Sequence, residues 1–181
     1  MQKPKAAPVP VIPDIEQMDI RVGKIVEVWK HPESEKLYCE KIDIGNGEIR
    51  EIASGLQKFV PMDVMQDALV VVICNLKAKK LGGFPSHGMV LCAEIRVDGV
   101  ASAVELLSPP EGSVVGDPIT FEGQGRTPPA ELPAKTEKNP WFRVQPNFKV
   151  DGNGFAKWND SKWTTSKGDC CAKTIRNGEI H

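Results

Sequence analysis

Apolar and polar residues alternate in short runs from residue 19 to residue 96, which is the pattern of half-buried β-strands. The first run places four β-branched residues in one strand phase: Ile20, Val22, Val26 and Val28. Gly23 lies inside this run and is a natural place for a bend or a bulge. Four further strands are predicted by the apolar runs at 37–44, 49–53, 69–74 and 89–96. Residues 61–66 predict one short helix, with Pro61 tolerated in its first turn.

Five short strands with a helix between the third and the fourth predict an OB-fold. This fold is a small Greek-key barrel that often binds oligonucleotides. The glycine-containing turn at 45–47 separates the second strand from the third, in agreement with this order. We therefore expect a mostly all-β chain whose barrel occupies residues 14–122.

A second, smaller unit follows the barrel. The glycines and prolines of residues 123–129 mark a boundary, because they punctuate regular structure. After this boundary the chain returns to short β-like pieces, and Trp158 and Trp163 flank a hairpin signal at 159–161. We expect a small β-rich C-terminal subdomain at 123–181.

Composition narrows the class of protein. The chain has 181 residues, of which 40% are hydrophobic, enough for a real core. No apolar run approaches the roughly 20 residues that span a bilayer, and the N-terminus lacks a signal-peptide core. The five cysteines include adjacent Cys170 and Cys171 and no Cys-x-x-Cys spacing, so reduced thiols are expected. We expect a cytoplasmic protein with no membrane partner.

Charge is unevenly distributed along the chain. The net charge of −1 does not by itself indicate a nucleic-acid-binding protein. Residues 1–134 carry −5, however, and residues 135–181 carry +4. Any RNA-binding surface in the first part must therefore be a local patch on a mildly acidic body.

The segment 75–89 is the strongest candidate for such a patch. It lies between two apolar runs, at 68–74 and 89–95, which predict flanking strands. Three lysines stand close together in it, Lys77, Lys79 and Lys80. A lysine offers a mobile charge with three donors, which suits phosphate better than base identity. The segment predicts a lysine- and glycine-rich surface projection that binds RNA, although a solvated charged loop has the same composition.

The motif Asn-Leu-Lys, followed by lysines and then by Gly-x-x-Ser-x-Gly-Met, resembles a known family. This is the tRNA-binding domain of endothelial-monocyte-activating polypeptide II, the yeast tRNA-binding synthetase cofactor, and the tails of methionyl- and tyrosyl-tRNA synthetases. Other matching segments occur in the same order: residues 19–26, Lys30–His31–Pro32 with Leu37–Tyr38, Ser54–Gly55–Leu56, and residues 106–113. The resemblance runs from about Ile15 to the C-terminus and is specific because the motifs occur together.

The resemblance assigns RNA-binding roles within the 75–89 segment. Besides the three lysines, it marks Asn75, Ser86 and Met89. Each has a structural alternative: Asn75 can cap the turn, Ser86 can cap the next strand, and Met89 can fill core space. His87 stands where the family has a small or polar residue, and it either adds a donor or is a bystander. Relatives often have Arg or Lys before the first glycine of Gly-x-x-Ser, where this chain has Gly82.

Further candidates lie on the first strand. Arg21 and Lys30 are predicted RNA contacts, because the Lys30–His31 end of this strand is expected to face the 75–88 loop. Trp29 and Tyr38 are able to stack on bases. For Tyr38, packing in the core is the stronger expectation. The site candidates are Arg21, Lys30, Asn75, Lys77, Lys79, Lys80, Ser86, His87 and Met89.

Catalytic and metal motifs are missing from the sequence. Its Cys and His residues never take zinc-ligand spacing, and neither Gly-x-Ser-x-Gly nor a phosphate loop occurs. We expect no catalytic residue, no metal site and no cofactor. Enzymatic activity would have to come from a fusion partner.

The resemblance implies a non-catalytic module that delivers tRNA to an aminoacyl-tRNA synthetase, in cis as an appended domain or in trans as a cofactor. It also implies that the C-terminal subdomain packs on the barrel, imitates the dimer interface of bacterial relatives and leaves the chain monomeric. The Pro-rich residues 1–13 read equally well as a tether behind a synthetase and as the disordered end of a free-standing protein. The alternative function is a multi-synthetase scaffold or a cytokine-like signal, since residues 21–27 match the signalling heptapeptide region of the family.

Overall fold

The computed structural model describes residues 11–181, so residues 1–10 of the predicted 1–13 linker lie outside the described residues. Its strands are, in chain order, β1 (Ile20–Lys30), β2 (Tyr38–Asp43), β3 (Ile49–Ser54), β4 (Leu69–Ile73), β5 (Lys79–Leu81), β6 (Phe84–Ser86), β7 (Met89–Val90), β8 (Cys92–Val97), β9 (Val100–Leu106), β10 (Thr120–Phe121), β11 (Phe148–Val150), β12 (Ala156–Trp158), β13 (Ser161–Thr165), β14 (Gly168–Asp169) and β15 (Glu179–Ile180). The short α-helices are α1 (Met62–Met65) and α2 (Trp141–Val144). Single 3-10 turns occupy Asp14–Gln17, Thr136–Lys138 and Gln145–Asn147. Within residues 11–181, no helix has the length and apolarity that crossing a lipid bilayer requires.

The first sheet confirms the predicted barrel. Its antiparallel strands follow the order β3-β2-β1-β4-β7, and α1 lies between β3 and β4 in the chain, as expected. The side chains that fill the barrel are aliphatic or sulfur-containing and fully buried: Ile25, Ile42, Ile52, Met65, Val70 and Val72. Packing of this apolar interior is what makes five short strands stable together.

The edge of β3 is closed by the segment that leads into β7. The His87 N–H donates to the Glu51 carbonyl (2.8 Å). Ser86 Oγ accepts from the Ala53 N–H (3.0 Å) and donates to the Gly88 carbonyl (3.3 Å). These bonds pair backbone groups on the edge of β3 that an open sheet would leave unpaired. They also bring β3 and β7, the two outer strands of the sheet, together.

The first strand differs in detail from its predicted pattern. The bulge lies between Ile25 and Glu27, and not at Gly23. Because a bulge adds one residue to one strand, the side chains after it change face, and Val26 is 36% exposed instead of buried. Gly23 has a different role, since a Cβ there would come within 3.0 Å of the Ile42 side chain.

The predicted fifth strand, 89–96, is divided into β7 and β8. β7 stays in the barrel, whereas β8 continues into a second sheet of eight strands in the order β10-β13-β12-β11-β15-β8-β9, with β14 beside β13. β9 was not predicted, although the sequence contains an Asp-Gly pair, a typical hairpin turn, just before it. Asp98 and Gly99, both with positive φ (52° and 76°), form the tight turn of the β8–β9 hairpin.

The C-terminal subdomain packs on the barrel through aromatic side chains. The hairpin predicted at 159–161 is confirmed, with Asn159 in the left-handed region (φ 51°) between β12 and β13. Phe148 and Trp163 meet edge to face with ring centroids 4.6 Å apart. One buried cluster joins residues of both units: Ile20, Val22, Leu91, Phe121, Trp141, Phe148 and Trp163. The two units therefore share a core, as well as the sheet that β8 enters.

Glu40 is an exception to the apolar barrel interior. It lies on β2 between Val28 and Ile52 in the sheet register and is fully buried. Among residues 11–181, neither carboxyl oxygen has a hydrogen-bond partner. Burial raises the pKa of Glu40 to about 8, against a smaller opposing effect of the nearby Ser54 hydroxyl. The carboxyl is therefore mostly protonated in the folded protein at neutral pH.

This carboxyl makes stability depend on pH in a direction that can be measured. The unfolded chain releases the Glu40 proton near its ordinary pKa of 4.5, whereas the folded chain keeps it until about pH 8. Between these pH values the folded state binds the additional proton, so the wild-type free energy of unfolding falls as pH rises, by up to about 1.4 kcal/mol per pH unit from this group. Glu40→Gln lacks this loss. In urea denaturation its stability relative to wild type should grow from pH 5 to pH 8 and then level off.

The matched control is Glu51→Gln, which alters an exposed carboxylate on the adjacent strand β3. Its stability should follow the wild-type pH curve. Parallel pH curves for Glu40→Gln and wild type would show that the Glu40 carboxyl does not titrate differently on folding.

Candidate nucleic-acid interface

The predicted lysine- and glycine-rich loop contains a small β-ribbon. Strands β5 and β6 pair antiparallel, and we call residues 77–86, which include the two residues before β5, the lysine ribbon. Its two-residue turn is Gly82–Gly83, both with positive φ (56° and 80°), as a type I′ turn requires. Lys77, Lys79 and Lys80 are all exposed, and none of them forms an ion pair with any part of the chain that the structure describes. Their charges are therefore available to an external anion.

The tip of the lysine ribbon is held against the loop that follows β1. His31 Nε2 bonds to the Gly82 carbonyl (2.9 Å), and His31 Nδ1 accepts from the Glu33 N–H (3.1 Å). This pair of partners requires the tautomer with hydrogen on Nε2. The Trp29 and Phe84 rings also meet edge to face, 5.8 Å apart. The ribbon is thus a packed element rather than a free projection, and the Lys30–His31 end of β1 faces it as predicted.

The position where relatives often carry a cation is sterically restricted here. A Cβ on Gly82 would come within 3.0 Å of His31 Nε2, and its φ of 56° is unfavourable for most side chains. The glycine allows the turn to approach the His31 ring, which a substituent would push away.

Asn75 anchors the base of the segment. It is 1% exposed, and its Oδ1 accepts from the Asp19 N–H (3.1 Å). Its Nδ2 donates to the carbonyls of Gln17 (2.9 Å) and Pro129 (3.0 Å). The amide is fully occupied inside the protein, so the structure makes Asn75 a positioning residue and does not support the predicted direct RNA contact.

Ser86 receives the same correction. It is 3% exposed, and its hydroxyl both accepts and donates a hydrogen bond in closing the β3 edge. The motif that marks Asn75 and Ser86 therefore describes how the lysine ribbon is mounted on the barrel. Met89 and His87 are half-buried and flank Gly88 at the foot of the ribbon.

Arg21 lies near the base of the ribbon but is already neutralised. Its guanidinium makes two bonds to the Asp19 carboxylate (2.9 and 2.7 Å), and Arg126 adds a third (2.5 Å). Burial alone would raise the pKa of Asp19, but the bonds and charges of Arg21 and Arg126 outweigh it and hold the pKa below its usual value. Lys30 is exposed and unpaired in the described chain, so it remains the better candidate of the two.

His87 stands beside a cation that the sequence analysis did not single out. Burial lowers the pKa of His87, and the nearby charge of Arg50 lowers it further. Arg50 bonds to Glu48 (2.5 Å) and to the Cys74 carbonyl, and only 12% of its side chain is exposed. Arg50 supports the base of the ribbon, and the lowered pKa of His87 favours its neutral form, which is able to donate or accept a hydrogen bond.

A cleft of about 680 Å³ opens beside the lysine ribbon. The barrel, the β8–β9 hairpin and the C-terminal subdomain all contribute to its walls. Its lining includes Phe59, Leu76, Lys77, Lys79, Met89, Arg96, Trp141 and Phe142. Phe59, Arg96 and Phe142 were not predicted as site residues, because nothing in their local sequence shows that the two units bring them together.

Comparison with known proteins identifies the family of this chain. The family described as "Putative tRNA binding domain" matches residues 20–118, more than half of the chain. The chain belongs to this tRNA-binding-domain family. The predicted resemblance is confirmed, and the family is one of binding domains, not of enzymes.

Individual relatives agree with the family match over nearly the whole chain. A cytoplasmic tyrosine–tRNA ligase of Danio rerio is 42% identical over 171 residues, which is 94% of this chain and 31% of the ligase. The aminoacyl tRNA synthase complex-interacting multifunctional protein 1 of Cricetulus griseus is 40% identical over 92% of this chain and 45% of that protein. The chain thus spans about a third to a half of these curated relatives. The crystal structure of the C-terminal domain of Plasmodium vivax p43 superimposes with a TM-score of 0.85 at 39% identity, covering 93% of this chain and 99% of that one.

The anchoring role of Asn75 makes a prediction about stability. Asn75→Ala should lower the free energy of unfolding by about 1–3 kcal/mol, because it leaves one buried N–H and two carbonyls without their partner. Chemical denaturation measures this loss.

Asn153→Ala is the matched control, since Asn153 is exposed and its side chain makes no hydrogen bond with residues 11–181. It should unfold like wild type. An Asn75→Ala variant as stable as the control, but weaker in RNA binding, would restore Asn75 as a direct contact.

Proposed function

We propose that this chain is a non-catalytic tRNA-binding module that binds tRNA by shape and backbone, with little sequence preference, and delivers it to an aminoacyl-tRNA synthetase. The observation that carries the proposal is the lysine ribbon. Three exposed and unpaired ammonium groups stand on an element fixed at its base by Asn75 and at its tip by His31. Membership of the tRNA-binding-domain family supports the same ligand.

The physical fit is to an A-form RNA backbone. Such a helix hides its major groove, so phosphates and 2′-hydroxyls are the groups that a protein reaches most easily. Lysines bind phosphate without regard to the base. A rigid mounting reduces the conformational freedom lost on binding.

The partner in this proposal is a synthetase, either fused to the module or docked with it. Relatives named as a tyrosine–tRNA ligase and as a synthase complex-interacting protein support both arrangements. A tethered module raises the effective tRNA concentration at the catalytic domain without adding to the chemistry. Residues 1–13 would then be the tether. The relatives named as cytoplasmic support the cytoplasm as the compartment.

The scaffold or cytokine alternative has no specific support in the geometry. The candidate signalling heptapeptide, residues 21–27, lies within β1, which pairs with β2 on one side and with β4 on the other. Val22, Gly23 and Ile25 are buried there. Exposing this peptide would require β1 to leave the barrel.

We further propose that the two units are an OB-fold domain at 14–122 and a C-terminal subdomain at 123–181 that replaces a dimer partner. The shared aromatic cluster supports this division of roles, because it covers Ile20, Val22 and Leu91 of the barrel. A covered apolar face has no need of a second chain.

The covered apolar face of the barrel predicts the oligomeric state of the chain. Light scattering at micromolar concentration should give a monomer near the chain mass of 19.8 kDa. A variant lacking residues 135–181 should dimerise or aggregate, because it loses Trp141, Phe148 and Trp163 from the shared core. A stable dimer of the full chain would contradict the proposal.

The lysine ribbon makes the central prediction. Replacing Lys77, Lys79 and Lys80 together by Ala should weaken tRNA binding and make the plot of log affinity against log salt shallower by about 2–3, since each lost phosphate contact removes roughly 0.7–0.9 from the slope. Melting temperature should hardly change, because exposed lysines contribute little to folding. Gel-shift titrations at several salt concentrations measure both quantities.

The charge-matched control replaces Lys149, Lys157 and Lys173 of the C-terminal subdomain by Ala. It should leave affinity and slope close to wild type. An equal loss in both triple variants would move the RNA surface to the basic C-terminal part, and salt-independent wild-type binding would exclude a phosphate-based mechanism.

A further inference from the structure

The two most exposed aromatic side chains of the described chain share one cleft. Among residues 11–181, the aromatic residues with at least 36% of their surface exposed are Phe59 (36%) and Phe142 (50%). Both line the cleft of about 680 Å³ beside the lysine ribbon. Phe59 comes from the barrel, just before α1, and Phe142 comes from α2 of the C-terminal subdomain. Leaving two phenyl rings in water costs hydrophobic free energy, and a ligand that covers both would recover it.

The walls of the cleft are suited to a flat, largely apolar group. Leu56, Leu76 and Met89 line it together with the two rings. Its volume lies in the range of pockets that hold small ligands. A nucleobase has a π-face that stacks on an aromatic side chain whatever its sequence identity, and methionine sulfur also makes favourable contacts with aromatic rings.

Charge assigns an orientation to the ligand. Lys77 and Lys79 line the cleft on the ribbon side and have no ion-pair partner in the described residues. Arg96 also lines it, but its guanidinium is bonded to Glu94 (2.7 Å) and lies 3.6 Å from Glu179. The cations available to a phosphate in this cleft are therefore those of the ribbon.

We propose that this cleft binds one unstacked nucleotide of an RNA, with its base against Phe59 and Phe142 and its phosphate at Lys77 and Lys79. The inference rests on the proposed tRNA binding and adds a requirement to it. A base inside a helix is stacked on both faces and is not available to the cleft, whereas loops and single-stranded ends offer splayed bases. The module should therefore prefer RNA with unpaired nucleotides over a continuous duplex.

Variants at Phe142 test the stacking step. Phe142→Ala should weaken binding of tRNA and of a single-stranded hexauridylate by roughly 5- to 100-fold, the range expected for losing one base–aromatic stack. Binding of a blunt 12-base-pair RNA duplex should not change. The salt slope should also stay at its wild-type value, because no charge is removed.

Two further variants separate the ring from its apolar area. Phe142→Leu keeps an apolar side chain without a π-face and should behave like Phe142→Ala, whereas Phe142→Trp keeps a ring and should retain wild-type affinity. Phe142 is half exposed, so all three variants should fold, and equal melting temperatures verify this. Val100→Ala, which alters a 68%-exposed side chain outside the cleft, is the control for loss of exposed apolar surface.

The outcomes separate this inference from the proposed function. If the triple lysine variant loses tRNA while the Phe142 variants bind tRNA and hexauridylate like wild type, the cleft is not a nucleotide site and the lysine ribbon alone binds RNA. If Phe142→Ala instead weakens only the binding of a synthetase catalytic core, the cleft belongs to a protein partner and the inference is overturned. If neither the lysine nor the Phe142 variants affect tRNA binding, both sites are excluded and tRNA binds elsewhere on the chain. If the wild-type chain does not bind tRNA at all, the proposed function itself fails.

Discussion

The hydrogen bonds between residues 86–88 and the edge of β3 are the constraint on which the other features depend. They close the barrel, and the segment that makes them is the end of the lysine ribbon. One backbone path therefore serves both for folding and for binding. The ribbon cannot move away from the barrel without breaking these bonds, each of which contributes about 0.5–1.5 kcal/mol to stability. The three lysines are in this way placed by the same interactions that stabilise the core.

The C-terminal subdomain depends on the barrel in a related way. β8 leaves the barrel and pairs with β15 and β9, so the second sheet begins on a strand that the first sheet has positioned. The aromatic cluster around Phe148 and Trp163 then covers the outer apolar side chains of β1 and β4. The cleft beside the ribbon is a by-product of this docking, because its walls belong to both units. A binding site at such a junction exists only when both units are folded.

Apolar runs were a good guide to the barrel because each of its strands buries several apolar side chains, on both faces in β4. Periodicity failed at Val26, where the bulge after Ile25 reverses the alternation, and register shifts of this kind are not encoded in period alone. It also missed β9, whose outward residues are small or apolar. The Asp98–Gly99 turn does predict a hairpin at this point. The family motif located the right segment but not the roles within it. Asn75 and Ser86 have the polarity of ligand contacts, and only their burial shows that they hold the ribbon instead.

Local sequence patterns could not predict which residues of the two units come together. Phe59 and Phe142 are 83 positions apart, and each alone looks like an ordinary apolar residue. Their common exposure in one cleft results from how β8 carries the chain out of the barrel, a property of the whole topology. The same holds for His31 and Gly82, whose contact requires the ribbon to fold back onto the end of β1.

The weak net charge of the chain is consistent with RNA binding once distance is considered. At physiological ionic strength, exposed charges more than about 8 Å apart are largely screened from one another. The acidic residues of the barrel therefore matter to a phosphate only when they adjoin its binding group. Two acids near the ribbon base are paired, Asp19 with Arg21 and Arg126, and Glu48 with Arg50. These internal ion pairs remove negative charge from the surroundings of Lys77, Lys79 and Lys80 without adding net positive charge to the protein. The patch is basic because three exposed, unpaired lysines stand close together, and a composition average cannot reveal such a local arrangement.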